Sequence, residues 1–527
     1  MKLKTLTLFI AILISSCGPK TSEVSQDSLP SASISTSTPL ISETTSETTS
    51  LIPSESEINT SSENPDSVTL DIYAINDMHG AVVDKNGNAG IAKTSTYLKN
   101  AKVEKENTVF LSSGDMWQGS SESNNTKGLL VTDWMNDLGF ESLTLGNHEF
   151  DWQISTIETN QQFAEFPFLA INIFDNDTNE PVSYSKPSVM IERQGLKIGI
   201  IGAIGNVYSS ILSYWVEDVH FITGSALTKL VKDEAIKLRE EGADLIIYSM
   251  HAGYSSGGST YPSRPSVSPL SASAISSFYD SSLSDGYVDL VFEGHTHQKT
   301  VYTDPYGVYH LQAGGYGEAI SYVNLTFDKT SDQFSVNEAD MVYTSSFINL
   351  AEDEYTNGLF DKYSELIGDI YSTIGANATQ RSGAYLGQVV ADLYIEKAVE
   401  VWEDYDIVLG GGFLQSREPY SLAPGAVNVS MVQELFPFDN NLVLCSIRGS
   451  DLLSKFINSS NSNYYVSFSD YGNTIRNSIS SSATYYIVVD QYTSAYAPNN
   501  LTDVVNMNPP TFAYQLLTEY IRAGGLA

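Results

Sequence analysis

Five of the seven histidines in this 527-residue chain follow directly on short apolar, β-branched runs, and this placement constrains the fold more than any other feature. Val68–Ile75 ends in Asn76-Asp77-Met78-His79-Gly80. Thr108–Ser112 ends in Ser113-Gly114-Asp115, before a Gly/Ser-rich loop. Leu143-Thr144-Leu145 ends in Gly146-Asn147-His148-Glu149-Phe150-Asp151. Leu245–Ser249 runs into Met250-His251, and Val288–Phe292 into Glu293-Gly294-His295-Thr296-His297. Amphipathic, helix-like stretches such as Ile91–Lys99 and Leu129–Leu138 lie between them. Strands alternating with helices describe an α/β sheet, and ligand chemistry in such sheets sits at the carboxyl ends of strands. Any one stretch alone leaves a polar loop open as the alternative, and Asp-x-His arises often by chance. Together they collect imidazole, carboxylate and amide groups on one rim. Residues i and i+2 of an extended segment point the same way, so Asp77 with His79, and His295 with His297, can each grip one ion. Neutral imidazole and carboxylate suit Zn, Mn, Fe or Co. Two such cations about 3.5–4 Å apart form a hydrolytic centre for phosphoryl groups. His220 and His310 lie outside the pattern and read as ordinary surface or core histidines.

Asp77-Met78-His79, Gly114-Asp115, Gly146-Asn147-His148-Glu149, His251 and Gly294-His295-Thr296-His297, in that order, resemble the calcineurin-like metallophosphoesterases. The fuller forms Asn76-Asp77-Met78-His79-Gly80 and Gly146 to Asp151 resemble the bacterial 5′-nucleotidase / UDP-sugar hydrolase branch, from about residue 68 onward. The resemblance implies a four-layer αββα sandwich over residues 67–345, a linker helix over 346–378, and a smaller α/β substrate-specificity domain over 379–527. It implies that Asp77, His79 and His297 hold one divalent metal ion. Asn147, His251 and His295 would hold a second, with Asp115 bridging. His148 would assist the phosphoryl oxygen or leaving group, oriented by Asp151. Glu149, the most obvious ligand by residue type, is left outside the metal shell. Leu311–Ile320, with Gly314, Gly315 and Gly317, resembles the turn that closes the family's metal site. The implied activity is hydrolysis of phosphate monoesters, nucleotides foremost, by a hydroxide that two metals activate. Cyclic 2′,3′-nucleotides and nucleoside-diphosphate sugars are the alternative substrates.

Glu352–Ile374 has helical spacing of Leu359, Tyr363, Leu366, Ile367, Ile370 and Tyr371, and is expected to be one interdomain helix around Gly368. The second domain departs from the family. Leu409 and Leu414 stand where Asn and Arg flank the glycine run Gly410–Gly412. The nearest arginines are Arg381 and Arg417, which remain the candidates for gripping phosphate. Phe438 keeps its Pro-Phe context. Tyr492 stands where a second aromatic would close on a base, and two π faces suffice for stacking. This divergence leaves open a reading of another class, a surface nucleotide-binding protein that keeps the fold without the chemistry. Between His251 and Val288 lies a Ser/Gly/Pro-rich loop, expected as a surface insertion, that carries Arg264.

The N-terminus reads as an address. Lys2 and Lys4 precede an apolar run, Leu6–Ile14, too short for the roughly 20 residues that span a bilayer. Ile14-Ser15-Ser16-Cys17 resembles a bacterial lipobox, which implies a signal peptide over 1–16 and lipidation at Cys17. The only other cysteine is Cys445, so no internal disulfide is expected despite export. Residues 17–66 are rich in Ser, Thr and Glu. They cannot bury enough apolar surface to offset ordering entropy, and are expected to form a flexible tether with a reach of roughly 40 Å. The expected location is the extracellular face of the bacterial membrane, with the protein a lipid-anchored monomer. The formal charge of −36 argues against a nucleic-acid polymer as partner, because that needs a basic surface.

Overall fold

The computed structural model describes residues 66–85, 87–254, 279–414, 416–417, 420–470, 474–496 and 501–527. The signal peptide, Cys17, nearly all of the tether and Arg264 lie outside the described residues. No described helix is long and apolar enough to cross a membrane.

The first domain is built on two six-stranded sheets. One runs in the order Gln333–Tyr343, Ala319–Asp328, Ser67–Ile75, Thr108–Ser112, Ser142–Thr144, Phe168–Leu169. Its last four strands are parallel, and the two C-terminal strands add antiparallel at the other edge. The second runs Lys299–Thr303, Tyr309–Ala313, Leu290–Glu293, Leu245–His251, Leu196–Ile204, Ser188–Arg193, with four parallel strands at its centre. Strand alternation decides how they pack. Val68, Leu70, Ile72 and Ala74 face Leu196, Ile198, Ile200, Leu245, Ile247 and Leu290 in one buried core between the sheets. Each fully buried aliphatic side chain there stabilises the fold by about 1.5–3 kcal/mol.

The intervening residues face outward and need cover, since parallel sheets are buried on both sides. Tyr73, Ile75 and Phe110 are covered by helices Gly90–Glu104 and Leu129–Leu138 through Ile91, Leu98, Leu130, Trp134 and Leu138. Ile201, Ile246, Tyr248 and Val291 are covered by helix Gly224–Glu240 through Leu227, Val231, Ala235 and Leu238. The result is the αββα sandwich expected from the sequence.

The connector differs from the expected single helix. Helix Glu354–Lys362, capped by the Asp353 carboxylate, is followed by a separate turn of helix, Ser364–Ile367. Gly368 then adopts φ +70°, and the chain re-enters as strand Thr373–Asn377. A residue in that conformation cannot continue an α-helix, so the periodic apolar residues beyond it serve another purpose. Tyr363, Ile367 and Ile370 all pack into the outer core of the first domain.

The second domain has a five-stranded sheet in the order Tyr464–Phe468, Ile407–Phe413, Thr484–Asp490, Leu442–Arg448, Leu501–Asn506. Helices Gly383–Val401 and Ala513–Arg522 cover one face, and Leu452 and Phe456 help cover the other. Cys445 is a buried free cysteine of the central sheet. The loop Leu435–Phe438 leans on the first domain: the Pro437 carbonyl accepts from Gln118 Nε2 (3.1 Å) and Asn124 Nδ2 (3.0 Å). Ion pairs Lys85–Glu434 and Lys127–Asp439 flank that contact.

Candidate metal centre and adjoining cavity

Every residue expected to hold metal arrives at the same rim. Asp77 and His79 follow the strand Ser67–Ile75, Asp115 follows Thr108–Ser112, and Asn147 follows Ser142–Thr144. His251 ends its strand, and His295 and His297 follow Leu290–Glu293. Five of these seven, Asp77, His79, Asp115, His295 and His297, have φ between +49° and +71°. Non-glycine residues avoid that region, and such strain gathers where a site over-determines the backbone. Glycine is obligatory between them. A Cβ at Gly146 would stand 2.3 Å from Asp115 Oδ1, and one at Gly114 would stand 2.6 Å from His251 Nδ1.

The side chains form two groups, each able to surround one ion: Asp77, His79 and His297, and Asp115, His251 and His295. In the first, His79 Nε2 and His297 Nε2 stand 3.0 Å apart, and His297 Nε2 lies 3.4 Å from Asp77 Oδ1. In the second, His251 Nε2 lies 3.1 Å from Asp115 Oδ2. Asn147 Oδ1 joins this group, 3.2 Å from His251 Nε2 and 2.9 Å from His295 Nδ1.

The remaining ring nitrogens show why the donors suit cations. His79 Nδ1 faces the Gln118 carbonyl at 2.9 Å, and His251 Nδ1 faces the Ser113 carbonyl at 2.7 Å. A nitrogen facing a carbonyl carries the proton, which leaves each Nε2 lone pair aimed at the site. Burial, helped by the neighbouring imidazole, pushes His79 down to about 3 and His295 down to about 4, so both are neutral. Burial would also lower His251, but the Asp115 carboxylate outweighs it and pushes the imidazole up to about 10. That charge match between a buried carboxylate and a buried imidazole is the one a divalent cation would replace. The donor set fits two divalent cations of the Zn, Mn, Fe or Co type.

His148 stands apart from both groups. Its Nδ1 is 2.7 Å from Asp151 Oδ2, and its backbone N–H donates to Asp115 Oδ1 at 2.8 Å. Burial works against its charge, yet Asp151 and then Asp115 raise its pKa above the ordinary imidazole value.

Glu149 acquires a role that its residue type does not announce. Its carboxylate is fully buried and accepts three backbone N–H groups, Gly146 (2.7 Å), Met116 (2.8 Å) and Asp115 (3.0 Å). It clamps the Asp115 loop to the Asn147 loop. Burial, reinforced by Asp115, pushes the carboxyl up to about 7. Asn76 ties a third loop in, accepting from Ala313 N and donating to the Gly314 carbonyl.

A cavity of about 350 Å³ opens from the second metal group toward the second domain, a size suited to a small organic ligand. Phe438 and Tyr492, both expected at substrate, line it, and so does Arg417. Phe438 stacks on the His148 ring with centroids 5.9 Å apart, and the Arg417 guanidinium lies 5.1 Å from the Phe438 ring. Arg381 goes elsewhere. It sits over the Tyr385 ring at 4.4 Å, bonds Asn377, and does not line the cavity. The short strand pair Arg381–Ser382 with Ser421–Leu422 turns it away. The sequence reading missed Phe413, which packs on Tyr492 at 5.6 Å, and also Trp215 and Asp490 in the same wall. Nothing local marks them, since they come from three separate segments. His310 is a core histidine whose Nδ1 bonds buried Glu293 at 2.9 Å, and half-buried His220 bonds Asn176.

Comparison with known proteins agrees with this geometry. Residues 70–299 match the family described as calcineurin-like phosphoesterase. The chain is 25% identical over 419 residues to the endonuclease YhcR of Bacillus subtilis, covering 73% of this chain but only about a third (32%) of that protein. It is 24% identical over 434 residues to a 5′-nucleotidase of Diplobatis ommata, covering 73% of this chain and 70% of that one. The crystal structure of a 5′-nucleotidase precursor from Thermus thermophilus superposes with a TM-score of 0.64 at 18% identity, over 86% of this chain and 96% of that one. The rim of seven candidate ligands and the comparisons agree: residues 70–299 match the calcineurin-like phosphoesterase family, in a chain with the two-domain fold seen in a solved 5′-nucleotidase precursor.

Proposed function

We propose that this protein is a metal-dependent hydrolase of phosphate esters, acting on nucleotide monoesters at the outer face of a membrane. The observation that carries the reading is the pair of ligand groups with the His148–Asp151 couple beside them, facing a cavity with aromatic walls. Asp77, His79 and His297 would hold one cation. Asn147, His251 and His295 would hold the other, with Asp115 shared between them. Such a pair, when bound, supplies a water of lowered pKa and positive charge for phosphoryl oxygens.

The chain's own residues do the rest. Asp151 orients the His148 ring through Nδ1 and favours its protonated form, from which Nε2 would give a proton to the departing oxygen. Phe438 and Tyr492 offer π faces to a base, and Arg417 brings a cation beside them. Names of relatives that include 5′-nucleotidase support the substrate class.

The sequence Ile14-Ser15-Ser16-Cys17 supports lipid anchorage at Cys17, which would place a monomeric catalytic body outside the cell. Loss of lipid labelling in Cys17→Ala tests that point. For the activity, phosphate release from nucleotides is measured on purified, Mn-loaded protein. His148→Ala is expected to lower kcat by about 10²–10⁴ with metal content retained. Absence of phosphate release from every phosphoester by the Mn- or Zn-loaded protein would refute the reading.

A further inference from the structure

Behind the His295 loop lies a buried polar network that the proposed chemistry does not use. Val291 pairs with His310 across neighbouring parallel strands, so Glu293 and Gln312, two residues further on, share that face of the sheet. The Glu293 carboxylate accepts three donors. Its Oε2 takes the Tyr254 N–H (3.1 Å), and its Oε1 takes His310 Nδ1 (2.9 Å) and the Tyr302 hydroxyl (2.5 Å). His310 is fully buried, stacked on the Tyr302 ring and met edge-on by Tyr279, each with centroids 4.7 Å apart. Buried Asp304 stands 4.0 Å from the other ring nitrogen, Nε2, too far for a hydrogen bond. Among the described residues His310 Nε2 has no hydrogen-bond partner, so the one directed bond of the ring is the bond to Glu293.

Glu293 spans two loops that carry candidate ligands. Tyr254 lies three residues past His251, and Glu293 two residues before His295. Tyr254 is gripped at both backbone groups: its N–H donates to Glu293, and its carbonyl accepts from Thr296 Oγ1 (2.8 Å), between His295 and His297. Gln312 completes the frame, with Nε2 donating to Thr296 Oγ1 (2.9 Å) and Oε1 accepting from Gln298 N (3.0 Å). The loops touch so closely that a Cβ at Gly253 would stand 2.2 Å from Gln312 Nε2 and 2.4 Å from the Gly294 carbonyl oxygen. His295 and His297 hold φ of +71° and +52°, a conformation that persists only under such outside support. The His251 and His295 rings face each other with centroids 5.5 Å apart, so a small slide between these loops reshapes the space an ion would fill.

We propose that His310 is a positioning residue for the second metal group: by holding the Glu293 carboxylate, it fixes the His251 loop against the His295 loop. This rests on the metal-centre reading above. Glu293 does for these two loops what Glu149 does for the loops of Asp115 and Asn147. A buried carboxylate that loses a donor turns toward whatever donors remain, and the Tyr254 N–H is the bond given up. His310 touches neither an ion nor a substrate, and its effect passes through Glu293 to the separation of His251 and His295. Outlying groups that orient ligands are worth about 10–100-fold in metal affinity.

The test uses the full chain and two readouts: calorimetric titration with Mn, and deuterium uptake of the segment Ala252–Tyr254 in metal-free protein. His310→Leu removes the donor, whereas His310→Asn keeps an N–H where Nδ1 stands. Leu238→Ala, which loosens the same outer core, controls for lost stability alone. His310→Leu is expected to bind one Mn as the wild type does and the second at least tenfold more weakly, with at least tenfold faster exchange at Ala252–Tyr254. His310→Asn is expected to stay within threefold of wild type on both readouts, and Leu238→Ala to keep wild-type affinity. Should His310→Leu not fold, Glu293→Gln carries the same expectation as the leucine variant, because its amide can no longer accept from both sides. Second-ion affinity within threefold of wild type in the leucine variant, or an equal loss in Leu238→Ala, overturns the positioning role alone. A wild type that binds no Mn overturns the metal-centre reading, and exchange in the metal-free protein then still decides whether His310 fixes the loop.

Discussion

Removing the Glu149 carboxylate leaves three buried backbone donors without an acceptor: Asp115 N, Met116 N and Gly146 N. A buried donor left unmade costs about 1–3 kcal/mol, so the three together set a ceiling of ~9 kcal/mol for Glu149→Ala. Water admitted into the vacated space recovers part of this, because the site is polar and walled by donors. The expected destabilisation is ~3–5 kcal/mol, a large share of the 5–15 kcal/mol typical of a domain. Glu149→Gln is the informative companion. Its one carbonyl oxygen can take two donors, but its NH₂ group then faces the third, so the expected loss is ~1–3 kcal/mol. Urea unfolding of the metal-free variants, followed by a first-domain signal, measures both. Mn affinity should fall in the same order, because the loops carrying Asp115 and Asn147 lose their clamp. An alanine variant within about 0.5 kcal/mol of wild type would refute the argument, since no arrangement of three unmet donors is that cheap.

Four further outcomes follow from the structure. Asp490 is buried and its carboxyl is pushed up to about 6, against 3.8 in an unfolded chain. A raised acid contributes stability that is present below about pH 4 and lost as pH rises through 6. Asp490→Asn should therefore match wild type near pH 4 and exceed it by roughly 3 kcal/mol at pH 8, in paired denaturation curves. Arg417→Ala should raise KM for nucleotides about tenfold, whereas Arg381→Ala should leave it unchanged, because only Arg417 lines the cavity. Chelation should abolish activity and lower the melting temperature by several degrees. His251→Ala should hold about one metal ion per chain instead of about two by elemental analysis.

Much of the candidate metal centre was legible because its signal is local. A strand's apolar alternation and the polar residues just past its end lie within ten residues of each other, and a parallel sheet brings every such end to one rim. That geometry needs no knowledge of distant partners, so Asp77, His79, Asp115, Asn147, His251, His295 and His297 converge as their positions implied. The His148–Asp151 contact is local as well, three residues apart. The connector was less legible. Its apolar spacing persists past Gly368, and only the backbone turn there shows that the helix has already ended.

The sequence by itself determined the sandwich and the candidate ligand residues with the His148–Asp151 pair beside them, since periodicity and strand-end chemistry are properties of short stretches. Only the tertiary structure decided what surrounds them. Arg381 and Arg417 are equally plausible cations on paper, and a two-residue strand pairing turns one away while the other meets Phe438. Trp215, Phe413 and Tyr492 become one wall only because the two domains close around the rim. Glu149, by residue type a metal ligand, becomes a loop clamp because three N–H groups reach it first. Contacts between residues hundreds of positions apart leave no periodic trace in a chain, and the packing of the whole molecule is what selects them.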